Sequence, residues 1–289
     1  MSVFNDGNMA NPEIAAIIYG LVSAASWGAG DFSGGFATKS SSVAGVLLVG
    51  NVVSVVLLSG CALWFGSSAP NLYSIAAGAM AGVTGLIGLA ALYKGLANGQ
   101  MGIVAPLAAV TTATLPVVFG MFLEGLASKM QIVGFLAAFA AIWLLSVAEK
   151  SQKIRLRQIR LPITAGIFLG LSMIFIDQAA EQTVLWSLVI TRITGVAILI
   201  VVLFLFRQGT LPPKRSYPIV CLAGLFDTGG YTFYALAAHT GRLDTAAVLA
   251  SMYPATTVIL AWLILKERLA GRQWVGVVAA LTAIILIAA

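Results

Sequence analysis

Ten stretches of the chain are almost continuously apolar, and short polar segments separate them. They fall at roughly 12–37, 43–66, 71–97, 102–123, 129–147, 162–183, 185–206, 217–240, 244–265 and 271–289. A helix that crosses a bilayer needs about 20 apolar residues. Unbroken apolar runs, rather than strict alternation, argue for helices over barrel strands. Turn signals mark most boundaries: Lys39-Ser-Ser-Ser42, Gly66-Ser-Ser-Ala-Pro70, Asn98-Gly-Gln100, Gly209-Thr-Leu-Pro-Pro213 and Gly241-Arg242. Little polar sequence divides spans six and seven. The pattern predicts an all-α integral membrane protein of ten transmembrane helices.

One polar stretch is longer and more basic than the rest. Residues 149–161 carry Lys150, Lys153, Arg155, Arg157 and Arg160, with five spans before them and five after. The two sides resemble each other. Gly20, Trp27 and Asp31 align with Gly166, Met173 and Asp177, and Gly99 aligns with Gly241. Glu124-Gly-Leu-Ala and Gln131-Ile-Val-Gly134 align with Glu267-Arg-Leu-Ala and Gln273-Trp-Val-Gly276. Five is an odd number of crossings, so the second copy enters the membrane the other way up. The predicted organisation is a polar tail at 1–11, a first five-helix repeat at 12–148, a basic linker at 149–161 and a second, inverted repeat at 162–289. Inverted repeats of this kind characterise secondary transporters.

Composition sharpens this picture. Hydrophobic residues make up 60% of the 289 residues and charged ones 9%, against about 25% charged in soluble domains. The net charge of +6 could speak for nucleic acid, but the bases gather between spans, as membrane orientation requires. One side holds 13 of them and the other only Lys129 and Arg242, with Arg192 inside a span. The 13-rich side is predicted to be cytoplasmic, which puts both termini outside. Residues 1–11 contain no Lys or Arg, so the first span reads as a retained helix rather than a cleaved signal. Cys61 and Cys221 lie inside apolar segments and read as core residues.

Candidate chemistry is sparse. No nucleophile–base set, metal-ligand spacing or phosphate loop is present, so the chain reads as neither an enzyme nor a cofactor or metal binder. The ionisable groups within spans are Asp31, Lys94, Asp177, Arg192, Asp227 and His239, and each needs a cavity or a partner. Asp31 and Asp177 are repeat-related; proton coupling and structural hydrogen bonding both fit them. Tyr231 and Tyr234 share a helix face, Tyr93 is the repeat counterpart of Tyr234, and Trp27 and Tyr253 lie within spans one and nine. Together they form a candidate aromatic wall. Trp64, Trp143, Trp186, Trp262 and Trp274 read instead as interface or lipid-facing residues. Pro106, Pro116 and Pro254 are candidate helix kinks with a part in gating. Gly78, Gly82, Gly85 and Gly88 suit close helix packing. Depth matching predicts a structural Arg192–Asp177 ion pair, since both lie about 9–11 Å below one boundary at ~1.5 Å per residue. The alternative is that Arg192 receives a substrate carboxylate.

The segment Leu263-Ile-Leu-Lys-Glu267-Arg-Leu-Ala-Gly-Arg-Gln273-Trp-Val-Gly276, with Ser26-Trp27-Gly28 and Arg192, resembles the EamA domain. The whole plan resembles the drug/metabolite transporter superfamily, and within it the YddG-type exporters of aromatic amino acids. In the first repeat Asn51 takes the position of Arg192, which departs from a symmetric two-site picture. The resemblance implies a multi-pass secondary transporter of the bacterial inner membrane. It would export amino acids, aromatic and other apolar ones foremost, and toxic organic compounds, by alternating access. The residues expected at substrate are Trp27, Asp31, Asn51, Tyr93, Tyr231, Tyr234 and Tyr253. A drug or nucleotide-sugar carrier is the alternative; an intramembrane enzyme or scaffold fits less well. The expected partners are a small-molecule solute and the lipid bilayer, not nucleic acid. The coupling ion and oligomeric state are left open.

Overall fold

The computed structural model describes residues 12–38, 41–97, 101–146, 156–181, 183–206, 210–265 and 271–288. Among these residues the regular structure is helical, with no strand. In chain order the helices are α1 (Pro12–Thr38), α2 (Val43–Trp64), α3 (Leu72–Ala97), α4 (Met101–Glu124), α5 (Lys129–Ser146) and α6 (Leu156–Ala180). They continue as α7 (Val184–Phe206), α8 (Tyr217–Thr240), α9 (Leu243–Ala250), α10 (Tyr253–Leu265) and α11 (Gly271–Ala288).

Local polar residues set several helix starts. Ser42 accepts a hydrogen bond from the Gly45 amide at 3.1 Å and opens α2. Asn71 accepts from the Ser74 amide at 2.7 Å ahead of α3. Ser128 and Gln131 exchange bonds at 3.1 and 3.0 Å, a capping box that begins α5.

Two predicted boundaries are corrected. Helix α6 begins at Leu156, so the latter part of the basic linker, with Arg157 and Arg160, is helical; residues 147–155 lie outside the described residues. The predicted ninth span is two helices, α9 and α10, parted at Ser251 and Met252. Pro254 explains the break. It has no amide to bond the Ala250 carbonyl, and its ring crowds that carbonyl. The chain instead turns tightly, with the Met252 amide on Leu249 at 3.1 Å and the Ala255 amide on Met252 at 2.9 Å. Pro254 thus occupies the first turn of α10, where a missing donor costs nothing. Helix α4, by contrast, runs unbroken through Pro106 and Pro116.

Among the described residues six helices, α1, α2, α3, α6, α7 and α8, are long and apolar enough to cross a membrane, with shorter apolar stretches at Ala108–Leu123 and Lys129–Leu144. At 8 and 13 residues, α9 and α10 reach across only in series, given a rise of about 1.5 Å per residue. Large apolar side chains point outward, with Trp64 86%, Phe122 84% and Phe204 82% exposed. A soluble protein rarely shows such a surface, whereas lipid covers it without penalty. Trp143 and Trp274 are exposed as anticipated. The Trp186 indole donates to the Ser67 carbonyl at 3.2 Å, and the Trp262 side chain lies outside the described residues.

Inside, α1 packs on α8 and α3 on α6; α2 lies against α7 and α5 against α11. Helix α4 packs on α6 and α9, α1 on α9 and α10, α2 on α8, and α3 on α7. Glycines let backbones meet. A Cβ at Gly82 would stand 2.5 Å from the Thr191 carbonyl of α7, and one at Gly28 would stand 2.6 Å from the Tyr253 carbonyl of α10.

Candidate functional site

A cavity of about 40 Å³ lies where α1, α3, α4, α6, α8 and α10 converge. Its polar lining is Asp31, Asp227 and Thr112. Its aromatic lining is Trp27, Tyr231 and Tyr253, with Leu89, Leu92, Leu169 and Met173 completing the wall.

Each ring is held by its neighbours. Gly230 leaves room for the Trp27 indole to lie directly on α8, and one turn earlier on α1 Ser23 donates to the Gly230 carbonyl at 2.7 Å. Trp27 meets Tyr231 edge-on at 5.0 Å and stacks on Tyr234 at 5.8 Å. Tyr234 is fully buried and donates to the Met173 carbonyl at 3.1 Å. Beside Tyr231, Ser172 donates to the Ala81 carbonyl at 3.0 Å, fixing α6 against α3.

The charged groups are arranged differently from the sequence expectation. The partner of Arg192 is Asp227 on α8, with Nη2 2.9 Å from Oδ2, and not Asp177. The guanidinium also lies over the Tyr231 ring, 4.2 Å from its centroid. Asp177, near the end of α6, instead accepts from Gln178 at 3.3 Å and stays away from the cavity. Depth along two consecutive helices predicted the wrong carboxylate because α7 turns this face toward α2 and α3 rather than α6. The usable signal was Asp227–Tyr231, a carboxylate and a ring one turn apart on one face of α8.

Of the residues expected at substrate, the structure gathers Trp27, Asp31, Tyr231 and Tyr253 around the cavity. Tyr93 and Tyr234 are buried in the packing behind it. Asn51 lines a smaller neighbouring space with Thr191, Arg192, Gly195 and Tyr231, and its amide donates to the Leu47 carbonyl at 2.8 Å. Pro116 and Pro254 are buried within helices next to the site rather than in its wall; the Pro106 side chain lies outside the described residues. The sequence did not single out Thr112 or Asp227 as lining residues. Among the described residues no group of three His, Cys, Asp or Glu side chains is placed to hold a metal.

A second polar cluster closes one end of the molecule. Asp244, fully buried at the start of α9, accepts from Arg242 Nε at 3.1 Å and Nη2 at 2.8 Å. The same Nη2 donates to the Gly125 carbonyl at 2.8 Å, just beyond α4. The arginine therefore ties the end of α4 to the start of α9.

Comparison with known proteins agrees with this architecture. A solved crystal structure superposes with a TM-score of 0.76 at 16% identity, covering 94% of this chain and 96% of that one, which establishes a shared fold. An uncharacterized protein of Methanocaldococcus jannaschii is 24% identical over 127 residues, 44% of this chain and 93% of that protein. Residues 158–289, most of the second half of the chain, match the EamA-like transporter family.

Proposed function

We propose that the protein is a secondary transporter that moves small amphipathic organic solutes, amino acids with apolar or aromatic side chains among them, through the cavity between its halves. The observation that carries this is the cavity wall itself: Trp27, Tyr231 and Tyr253 beside Asp31 and an internally neutralised Arg192–Asp227 pair. Aromatic faces with a few fixed polar groups suit an amphipathic solute.

The packing supports a two-repeat plan. Exchanging α1–α5 for α6–α11, with α9 and α10 standing for α4, maps the contacts onto themselves: α1–α8 becomes α6–α3, α2–α8 becomes α7–α3, and α4–α6 becomes α9/α10–α1. The archaeal relative, nearly all of which aligns with less than half of this chain, fits a half-chain unit. We take the two halves as inverted repeats that rock about the cavity. At about 40 Å³ the cavity holds about three waters, at ~10–15 Å³ each, far below the roughly 300–1,000 Å³ of pockets that enclose drug-sized ligands. Loading a solute of that size therefore requires the halves to part.

A nucleotide-sugar carrier needs cations for a diphosphate. The arginine beside this cavity is already paired, which disfavours that alternative. Counterflow of radiolabelled phenylalanine into proteoliposomes preloaded with unlabelled phenylalanine tests the proposal. Accumulation above protein-free vesicles is expected, and its absence for every amino acid tried would refute it.

A further inference from the structure

Charge balance around the cavity goes one step further, and it rests on the transport reading above. Arg192 and Asp227 cancel each other at 2.9 Å. Asp31 faces the same space as Asp227, and among the described residues no Lys or Arg pairs with it. Asp31 is therefore a carboxyl group in the cavity wall without a cation partner. A second observation points the same way. Thr112, 4% exposed, lines this cavity, and its Oγ1 has no hydrogen-bond partner. A buried unpaired hydroxyl is costly, and the Asp31 carboxyl group lines the same space.

We propose that Asp31 and Thr112 form an ammonium subsite, and that cargo is selected for positive charge. An ammonium brings three donors and no acceptor: one suits the Asp31 carboxylate and one the Thr112 oxygen, while Trp27 and Tyr253 line the same space for an apolar remainder. A cargo carboxylate finds no such reception. It would face Asp31 and Asp227, while the guanidinium, ion-paired with Asp227, lines the neighbouring space rather than this cavity. The preferred class is thus arylalkylamines, ahead of the matching amino acids, with arylalkyl carboxylates refused.

The test uses an isosteric series of phenethylamine, phenylalanine and 3-phenylpropionate on the purified full chain. Each is measured as a ligand-induced shift in melting temperature and as a competitor in counterflow. Phenethylamine is expected to bind tightest and phenylpropionate not at all. Asp31→Asn should weaken the amine at least about tenfold, as loss of a charged hydrogen bond implies; Asp31→Glu should restore part of it, and Thr112→Val should weaken it less. Each variant is compared with its own unliganded melting temperature, so a change in stability does not masquerade as lost binding. Phenylpropionate binding as well as phenethylamine, or unchanged discrimination in Asp31→Asn, would overturn the subsite. Amine binding without counterflow would instead refute transport and leave the subsite standing.

Discussion

Arg192 is buried between a carboxylate and an aromatic ring. It is 5% exposed, with Asp227 at 2.9 Å and the Tyr231 ring at 4.2 Å. Removing one member of a buried pair strands the other, at about 3–5 kcal/mol, whereas replacing both with apolar residues is often neutral. Arg192→Leu is therefore expected to lose most of its folded yield, and Arg192→Leu with Asp227→Leu to recover much of it. Arg192→Leu with Asp177→Leu should recover nothing. Size-exclusion profiles of the three variants in detergent check this, and rescue by Asp177→Leu would return the pair to its sequence-predicted form. The sequence did reveal that an intramembrane arginine needs a carboxylate. Which carboxylate depended on how α7 packs against its neighbours, which depth along two consecutive helices does not encode. The aromatic wall was legible for Trp27, Tyr231 and Tyr253. It misled for Tyr93 and Tyr234, because a tyrosine packed on a neighbouring backbone looks the same in sequence as one facing a cavity.

At the scale of single helices, the proline signals were present but their outcomes differed. Pro254 splits a span into α9 and α10, while α4 absorbs Pro106 and Pro116 without a break. The difference lies in the neighbours of each bend. Beside the α9–α10 break, Gly28 of α1 lets the Tyr253 carbonyl approach, so that an added Cβ would stand 2.6 Å away. Gly28→Val should therefore overpack this crossing and cost about 1–3 kcal/mol, read as a lowered melting temperature. Gly35, on the same helix, has nothing within 4 Å of an added Cβ. Gly35→Ala should be neutral or stabilising by about 0.5–1 kcal/mol, since alanine restricts the unfolded chain. Equal losses at both positions would show that the two glycines serve helix flexibility rather than close packing. Ser42, within the turn signal at 39–42, marked the start of α2 more faithfully, because a cap acts within one turn and owes nothing to tertiary rotation.

For the molecule as a whole, the apolar runs were long enough to locate nearly every helix, and the basic residues predict its orientation. With 13 bases on one side against Lys129 and Arg242 on the other, residues 149–161 should face the cytoplasm. A Ser151→Cys variant in a Cys61→Ala, Cys221→Ala background should resist an impermeant maleimide in intact cells and react once the membrane is opened; labelling in intact cells would reverse the assignment. The placement of Trp27 has an optical consequence. Trp64, Trp143 and Trp274 are exposed on the hydrophobic surface, while Trp27 is enclosed against Tyr231 and Tyr234. In vesicles of brominated lipid the outward indoles lose their emission to heavy-atom quenching, and Trp27 is shielded from it. The signal that Trp27→Phe removes under those conditions is a built-in reporter of the cavity, free of any attached dye, and it should change when the halves part to admit a solute.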